Sequence, residues 1–126
     1  VTMVDEEGNI YTTGIFSGTV DFDPNPDLQY NLTAIRKPEI FISKLDADGS
    51  FLWAKRLVPP SATDAYQASS GSSIAVDASG NVYVTGEFVD TLDFDPNPDT
   101  EFNLISKNSI GSNIFVLKLN ANGDFV

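Results

Sequence analysis

Oxygen-bearing side chains stand at every second position of Asp21-Phe22-Asp23-Pro24-Asn25-Pro26-Asp27, and the same seven residues recur as Asp93-Phe94-Asp95-Pro96-Asn97-Pro98-Asp99. Asp21, Asp23, Asn25 and Asp27, with Asp93, Asp95, Asn97 and Asp99, are the candidate metal ligands of this chain. Hard cations such as Ca²⁺ take roughly six to eight oxygens, and Asp-x-Asp-x-Asn spacing supplies several from one short segment. A second reading needs no metal. Pro24 and Pro26 fix φ and remove two backbone donors, which stiffens a turn at a sheet edge. The Asp and Asn side chains then bond neighbouring N–H groups, while Phe22 and Phe94 anchor the loop to the structure beneath it. The sequence leaves both readings open.

If calcium binds, the site is not an EF-hand. The sixth position of that loop needs Gly, where Pro26 and Pro98 stand, and the twelfth needs a bidentate Glu, where Leu32 and Leu104 stand. It would be a loop site completed by backbone carbonyls, with Glu101 or Asp90 near the second copy. Other residues with chemical potential have ordinary explanations. Trp53 with Phe51 would make a sugar-stacking platform, but a Trp packed in an outer strand against a neighbouring sheet fits as well. Lys44 and Lys118 are expected to face solvent as partners of the loop carboxylates. Paired carboxylates for glycoside hydrolysis are available among 18 acidic residues, yet only the repetition singles out any pair.

Composition removes whole classes of chemistry. There is no Cys and no His, so disulfides, thiolate nucleophiles, imidazole bases and the usual zinc sites are excluded. A formal charge of −11 argues against nucleic acid and anionic membranes, because phosphate contact needs clustered Lys and Arg. The same acidity suits divalent cations or solubility outside a cell. No apolar run approaches the roughly 20 residues that span a bilayer.

The elements that must position the acidic loops also repeat. Gly8-Asn9-Ile10-Tyr11-Thr12-Thr13-Gly14 precedes the first loop and Gly80-Asn81-Val82-Tyr83-Val84-Thr85-Gly86 the second, at an offset of 72; Ile40-Phe41-Ile42-Ser43-Lys44-Leu45 and Ile114-Phe115-Val116-Leu117-Lys118-Leu119 follow at an offset of 74. Two residues are therefore inserted between Leu104 and Ile114. Four turns, starting at Asp5, Asp46, Asp77 and Asn120, each place Gly fourth, as a type I turn closed by a left-handed residue demands. The flanking runs predict strands at about 1–5, 10–16, 40–45, 51–57, 73–77, 82–88 and 114–119. Short pairs are added at about 19–22 with 29–34 and at 91–94 with 101–106. No segment has helical spacing, so the fold class is all-β.

Each repeat reads as four antiparallel strands with an acidic Pro loop between the second and third, which is a β-propeller blade. One blade spans 1–72 with its loop at 21–27, and a second spans 73–126 with its loop at 93–99. Residues 58–72 make the crossing between them. The first copy runs on through Trp53-Ala54-Lys55-Arg56-Leu57, whereas the second stops at Phe125-Val126, so the second blade is expected to be incomplete and the chain to be a fragment of a larger array. Two blades leave apolar faces open, and the expected partners are other blades of the same or neighbouring chains, including self-assembly.

Ser73 through Gly86, and Ile40 through Ala54, resemble the signature of the bacterial seven-bladed beta-propeller repeat family. With the Asp-Phe-Asp-Pro insert, the pattern is similar to repeats of large secreted or surface proteins. The resemblance implies a propeller, an exported bacterial location and no assigned chemistry. The expected function is a non-catalytic cell-surface module for structural, adhesive or assembly roles, with calcium as its candidate cofactor. The alternative is a carbohydrate-binding or polysaccharide-processing propeller, with ligand where loops converge.

Overall fold

A computed structural model describes residues 1–35, 38–60, 70–107 and 111–126. Among these residues there are eleven strands and no helix: β1 (Thr2–Val4), β2 (Ile10–Phe16), β3 (Thr19–Asp21), β4 (Asn31–Thr33), β5 (Glu39–Leu45), β6 (Phe51–Leu57), β7 (Ser70–Val76), β8 (Val82–Phe88), β9 (Thr91–Asp93), β10 (Asn103–Ile105) and β11 (Asn113–Leu119). The predicted short pairs are present as the β3–β4 and β9–β10 hairpins, each three residues per strand. The predicted crossing at 58–72 is shorter than expected, since β7 already starts at Ser70; its residues 61–69 lie outside the described part.

Strands β1-β2-β5-β6 form one antiparallel sheet and β7-β8-β11 another, and neither closes on itself. Next-neighbour pairing follows from the turns. Gly80 has φ +78° and donates its N–H to Asp77 at 2.9 Å. At that φ a Cβ would be strained, so Gly is the residue that closes the turn. Beyond β11, Phe125 bridges back to Leu119.

Alternation along the strands gives each sheet two faces. One face of the first sheet presents Tyr11, Thr13, Ile40, Ile42 and Leu57, all buried. Against it lies the face of the second sheet that carries Val82, Val84, Phe88, Phe115, Leu117 and Leu119, and the two make one hydrophobic cluster. The two sheets approach most closely at β2 and β7. A methyl group at Gly71 would collide with the Thr13 hydroxyl Oγ1 and stand 3.3 Å from its Cγ2, so only a residue without a side chain lets β7 sit on Thr13. Trp53 completes the contact, its Nε1–H donating to the Ala121 carbonyl at 3.1 Å. That is the neighbour-packing role expected of it.

Candidate functional site

The acidic loops leave each sheet at the ends of the short hairpins. In the first, Asp21 Oδ1 accepts from the N–H groups of Asp23 (3.0 Å) and Tyr30 (2.9 Å), Asp23 Oδ1 from Asn25 N–H (2.9 Å), and Asn25 Oδ1 from Asp27 N–H (3.0 Å). The second repeats this bond for bond. Asp93 Oδ1 accepts from Asp95 (3.0 Å) and Phe102 (2.8 Å), Asp95 Oδ1 from Asn97 (2.9 Å), and Asn97 Oδ1 from Asp99 (3.0 Å). Thr100 adds a hydroxyl to Asp95 Oδ2 at 2.7 Å. Every-second-residue spacing thus builds a ladder of successive side-chain-to-backbone turns, with Pro at the positions that have no N–H to offer.

This geometry turns the candidate ligands along the chain instead of toward a common point. Among the described residues no group of three or more Asp and Glu side chains is gathered where a metal ion could be held. Asp27 and Asp99 serve through their backbone N–H, and Glu101 accepts from Asn103 Nδ2 at 2.9 Å. Asp90 takes φ 66°, and its carbonyl receives the Ser106 N–H, which closes the base of the β9–β10 hairpin.

The two Phe anchors lie where expected. Phe22 packs edge-on to Phe16 (centroids 5.5 Å) and against Phe41 (5.0 Å). Phe94 does the same with Phe88 (5.3 Å) and Phe115 (4.9 Å). The loops differ in burial: Leu92, Asp93 and Phe94 are buried, whereas Val20 and Phe22 are half-buried and Asp21 is exposed. The second hairpin is tied to the first repeat by Asp93 N–H donating to the Val58 carbonyl at 3.1 Å. Between that loop, β6 and the first hairpin lies a cleft of about 560 Å³, lined by Tyr30, Arg56, Pro59, Asp95, Thr100 and Glu101 among others.

Two expectations need correction. Lys44 and Lys118 do not reach the loop carboxylates; each ammonium lies over a tyrosine ring of the adjacent strand, Lys44 5.0 Å from the centroid of Tyr11 and Lys118 5.5 Å from that of Tyr83. Cross-strand register places them there, Lys44 opposite Tyr11 and Lys118 opposite Tyr83, and the ring face attracts a cation. Nor do Trp53 and Phe51 make one platform. A register shift between Lys44 and Leu45 pairs Lys44 with Trp53 but Leu45 with Phe51, which puts the two rings on opposite faces. Phe51 stacks instead on Tyr30 at 4.6 Å.

Asp5 and Asp77, read from the sequence only as hairpin closures, hold lowered carboxyl pKa values. Asp77 accepts from Asn81 Nδ2 (2.8 Å), the N–H groups of Ser79 and Asn81, and Tyr83 Oη (3.1 Å). Those bonds, the Asn81 amide first, hold its carboxyl at about 2. Asp5 has the same partners in Asn9 and Tyr11; desolvation opposes the effect, yet its pKa is still lowered. Burial, then the Asp5 bond, pushes Tyr11 up to about 12. The signal was present in both copies as Asp-x-x-Gly-Asn-x-Tyr. These cages lock turns.

Residues 52–87 match the family model SBBP, Beta-propeller repeat. Over that stretch the chain is similar to a beta-propeller repeat. The matched stretch starts inside β6 and ends inside β8, so it spans the junction between the two sheets and leaves both acidic loops outside it. Neither a curated protein nor a solved structure matches the chain.

Proposed function

We propose that this chain is a non-catalytic segment of an exported bacterial β-propeller, two successive blades whose job is structural or adhesive. The observation that carries the reading is the junction: one face of the first sheet lies under the opposite face of the second, with Gly71 against Thr13. Repeat stacked on repeat through one face of each is how such arrays bury their cores. The acidic loops then stand at matching places as stiff, charged projections, held by their own backbone with or without calcium.

The absence of native cysteine makes the test clean. Disulfide Cβ atoms lie roughly 3.5–4.5 Å apart, close to the Thr13–Gly71 approach. Thr13→Cys removes the hydroxyl that a side chain at Gly71 would meet, so together with Gly71→Cys it should cross-link within the chain on mild oxidation; two free thiols in a folded protein would refute the stacking. The exported location is tested on intact cells with an antibody to this segment. Labelling without permeabilisation is expected, and labelling only after lysis overturns it.

The cleft beside the second acidic loop favours a second reading, a carbohydrate-binding propeller. Tyr30 lines it together with the polar Arg56, Asp95 and Glu101. Calorimetric titration with oligosaccharides would show heat that Arg56→Ala removes if this reading holds, and none if it does not.

A further inference from the structure

The two sheets differ in what they leave uncovered. Ile40 and Ile42 on the first are 1% and 0% exposed, whereas Ile114 and Val116, which hold the same places on the second, are 83% and 72% exposed. Thr13 is buried and its counterpart Thr85 is exposed. Strand register is the same in both sheets, Gly14 opposite Phe41 and Gly86 opposite Phe115. The difference is therefore the neighbour: the second sheet covers this face of the first, and no sheet among the described residues covers it on the second.

On the opposite faces the pattern reverses. Val84, Phe115 and Leu117 are buried in the junction, while their counterparts Thr12, Phe41 and Ser43 are half-buried. The chain thus holds one finished junction and the two separate halves of another. The acceptor half is closely copied, since Tyr83, Thr85, Ile114 and Lys118 repeat Tyr11, Thr13, Ile40 and Lys44. In the donor half β1 repeats only the Ile74–Val76 end of β7, Glu39 stands where the second sheet has Asn113, and one row loses its apolar residues. Thr2, Thr12 and Ser43 lie side by side across β1, β2 and β5, where the second sheet sets Ile74, Val84 and Leu117. The Thr2 and Thr12 hydroxyls bond each other at 3.2 Å.

We propose that a second copy of this chain seats its first sheet on the exposed Ile114–Val116 face, head to tail. Continuity with the junction inside the chain identifies the occupant, because the Ile74, Val84, Phe115 and Leu117 positions of the covering face have counterparts on the first sheet of every copy. The Thr2–Thr12–Ser43 row makes the contact between chains less apolar than the one within, and so weaker and reversible. Such a junction is heterologous: each added copy offers a fresh acceptor, and association continues into rings or filaments. The inference rests on the stacked-blade reading.

Sedimentation over a wide range of protein concentration tests it. The wild type should gain mass as concentration rises. Ile114→Glu with Val116→Asp, both at exposed positions, should stay monomeric throughout. Thr12→Val with Ser43→Leu, which writes the apolar row into the donor, should lower the concentration for half-association by about tenfold or more, the equivalent of 1.4 kcal/mol. A wild type that stays monomeric overturns the inference and leaves the face to a further repeat or another protein. Association unaffected by the acceptor pair, or a donor pair without effect, overturns the head-to-tail arrangement. The Thr13–Gly71 cross-link is measured on the same preparations: if it fails, the stacking falls, and if it forms without association, only the contact between copies falls.

Discussion

Matched substitutions at one position of the repeat should have unequal effects, because burial and not residue type separates the copies. Ile42 is fully buried between the sheets, and Val116 stands at the same place with 72% of its surface in water. Truncating a buried Ile to Ala removes its transfer energy and leaves a cavity, about 2–5 kcal/mol in all. An exposed Val loses almost nothing, within about 0.5 kcal/mol. For a domain of this size, 1 kcal/mol moves the melting midpoint by roughly 3–5 °C. Ile42→Ala should therefore lower the midpoint by on the order of 10 °C, and Val116→Ala by about 2 °C or less. Thermal melts followed by near-ultraviolet circular dichroism, at protein concentrations low enough to keep the chain monomeric, read both. Equal shifts would mean that the first sheet is no more covered than the second, and the stacking argument would fail.

Asp93→Ala should cost about 1–2 kcal/mol, since it strands two N–H groups at a buried position; the exposed Asp21→Ala should cost less, and urea melts compare the pair. Melts in excess Ca²⁺ and in EDTA should superimpose for the wild type and for Asp23→Asn with Asp95→Asn, because Asn keeps the oxygen that each turn uses; a midpoint raised by calcium and lost in the double variant would show that the loops hold the metal. Asp77 is held at about 2, against 3.8 when free. Its contribution is therefore complete above about pH 4 and lost as pH falls toward 2. Acid titration of Asp77→Asn should show a shallower loss of stability across that window than the wild type. Tyr83→Phe removes the same carboxylate's hydroxyl partner and should raise its pKa, which carboxylate NMR titration would detect.

Strand positions, turn chemistry and the short hairpins were legible because each is written twice in local terms: an Asp-x-x-Gly turn, a run of alternating residues, a Pro-stiffened loop. Exposure was not. Thr13 and Thr85 are the same residue in nearly the same words, and only a neighbouring sheet makes one buried and the other wet. Lys44 was misread because its partner Tyr11 is far away in sequence and is reached through register alone. The loop aspartates matched a metal-binding spacing because both a cation site and a chain of side-chain-to-backbone turns require an oxygen at every second residue. Which use prevails depends on whether the oxygens converge or follow the chain, and spacing does not encode that. The Asp77 cage was spelled in the motif, but its strength comes first from the Asn81 amide, which Tyr83 Oη joins on the same oxygen, a coincidence of three side chains.

The two added residues between Leu104 and Ile114 leave no trace in the sheets. Gly86 still faces Phe115 as Gly14 faces Phe41, and the hairpin below keeps Asp93 opposite Asn103 as Asp21 faces Asn31. The connection from β10 to β11 therefore absorbs a change of length at little cost, as loop-closure entropy allows. It is a graft point: an epitope, a protease site or a small folded domain placed there should leave both sheets assembled. Divergence between the two repeats has room to accumulate at the same place without renegotiating the core.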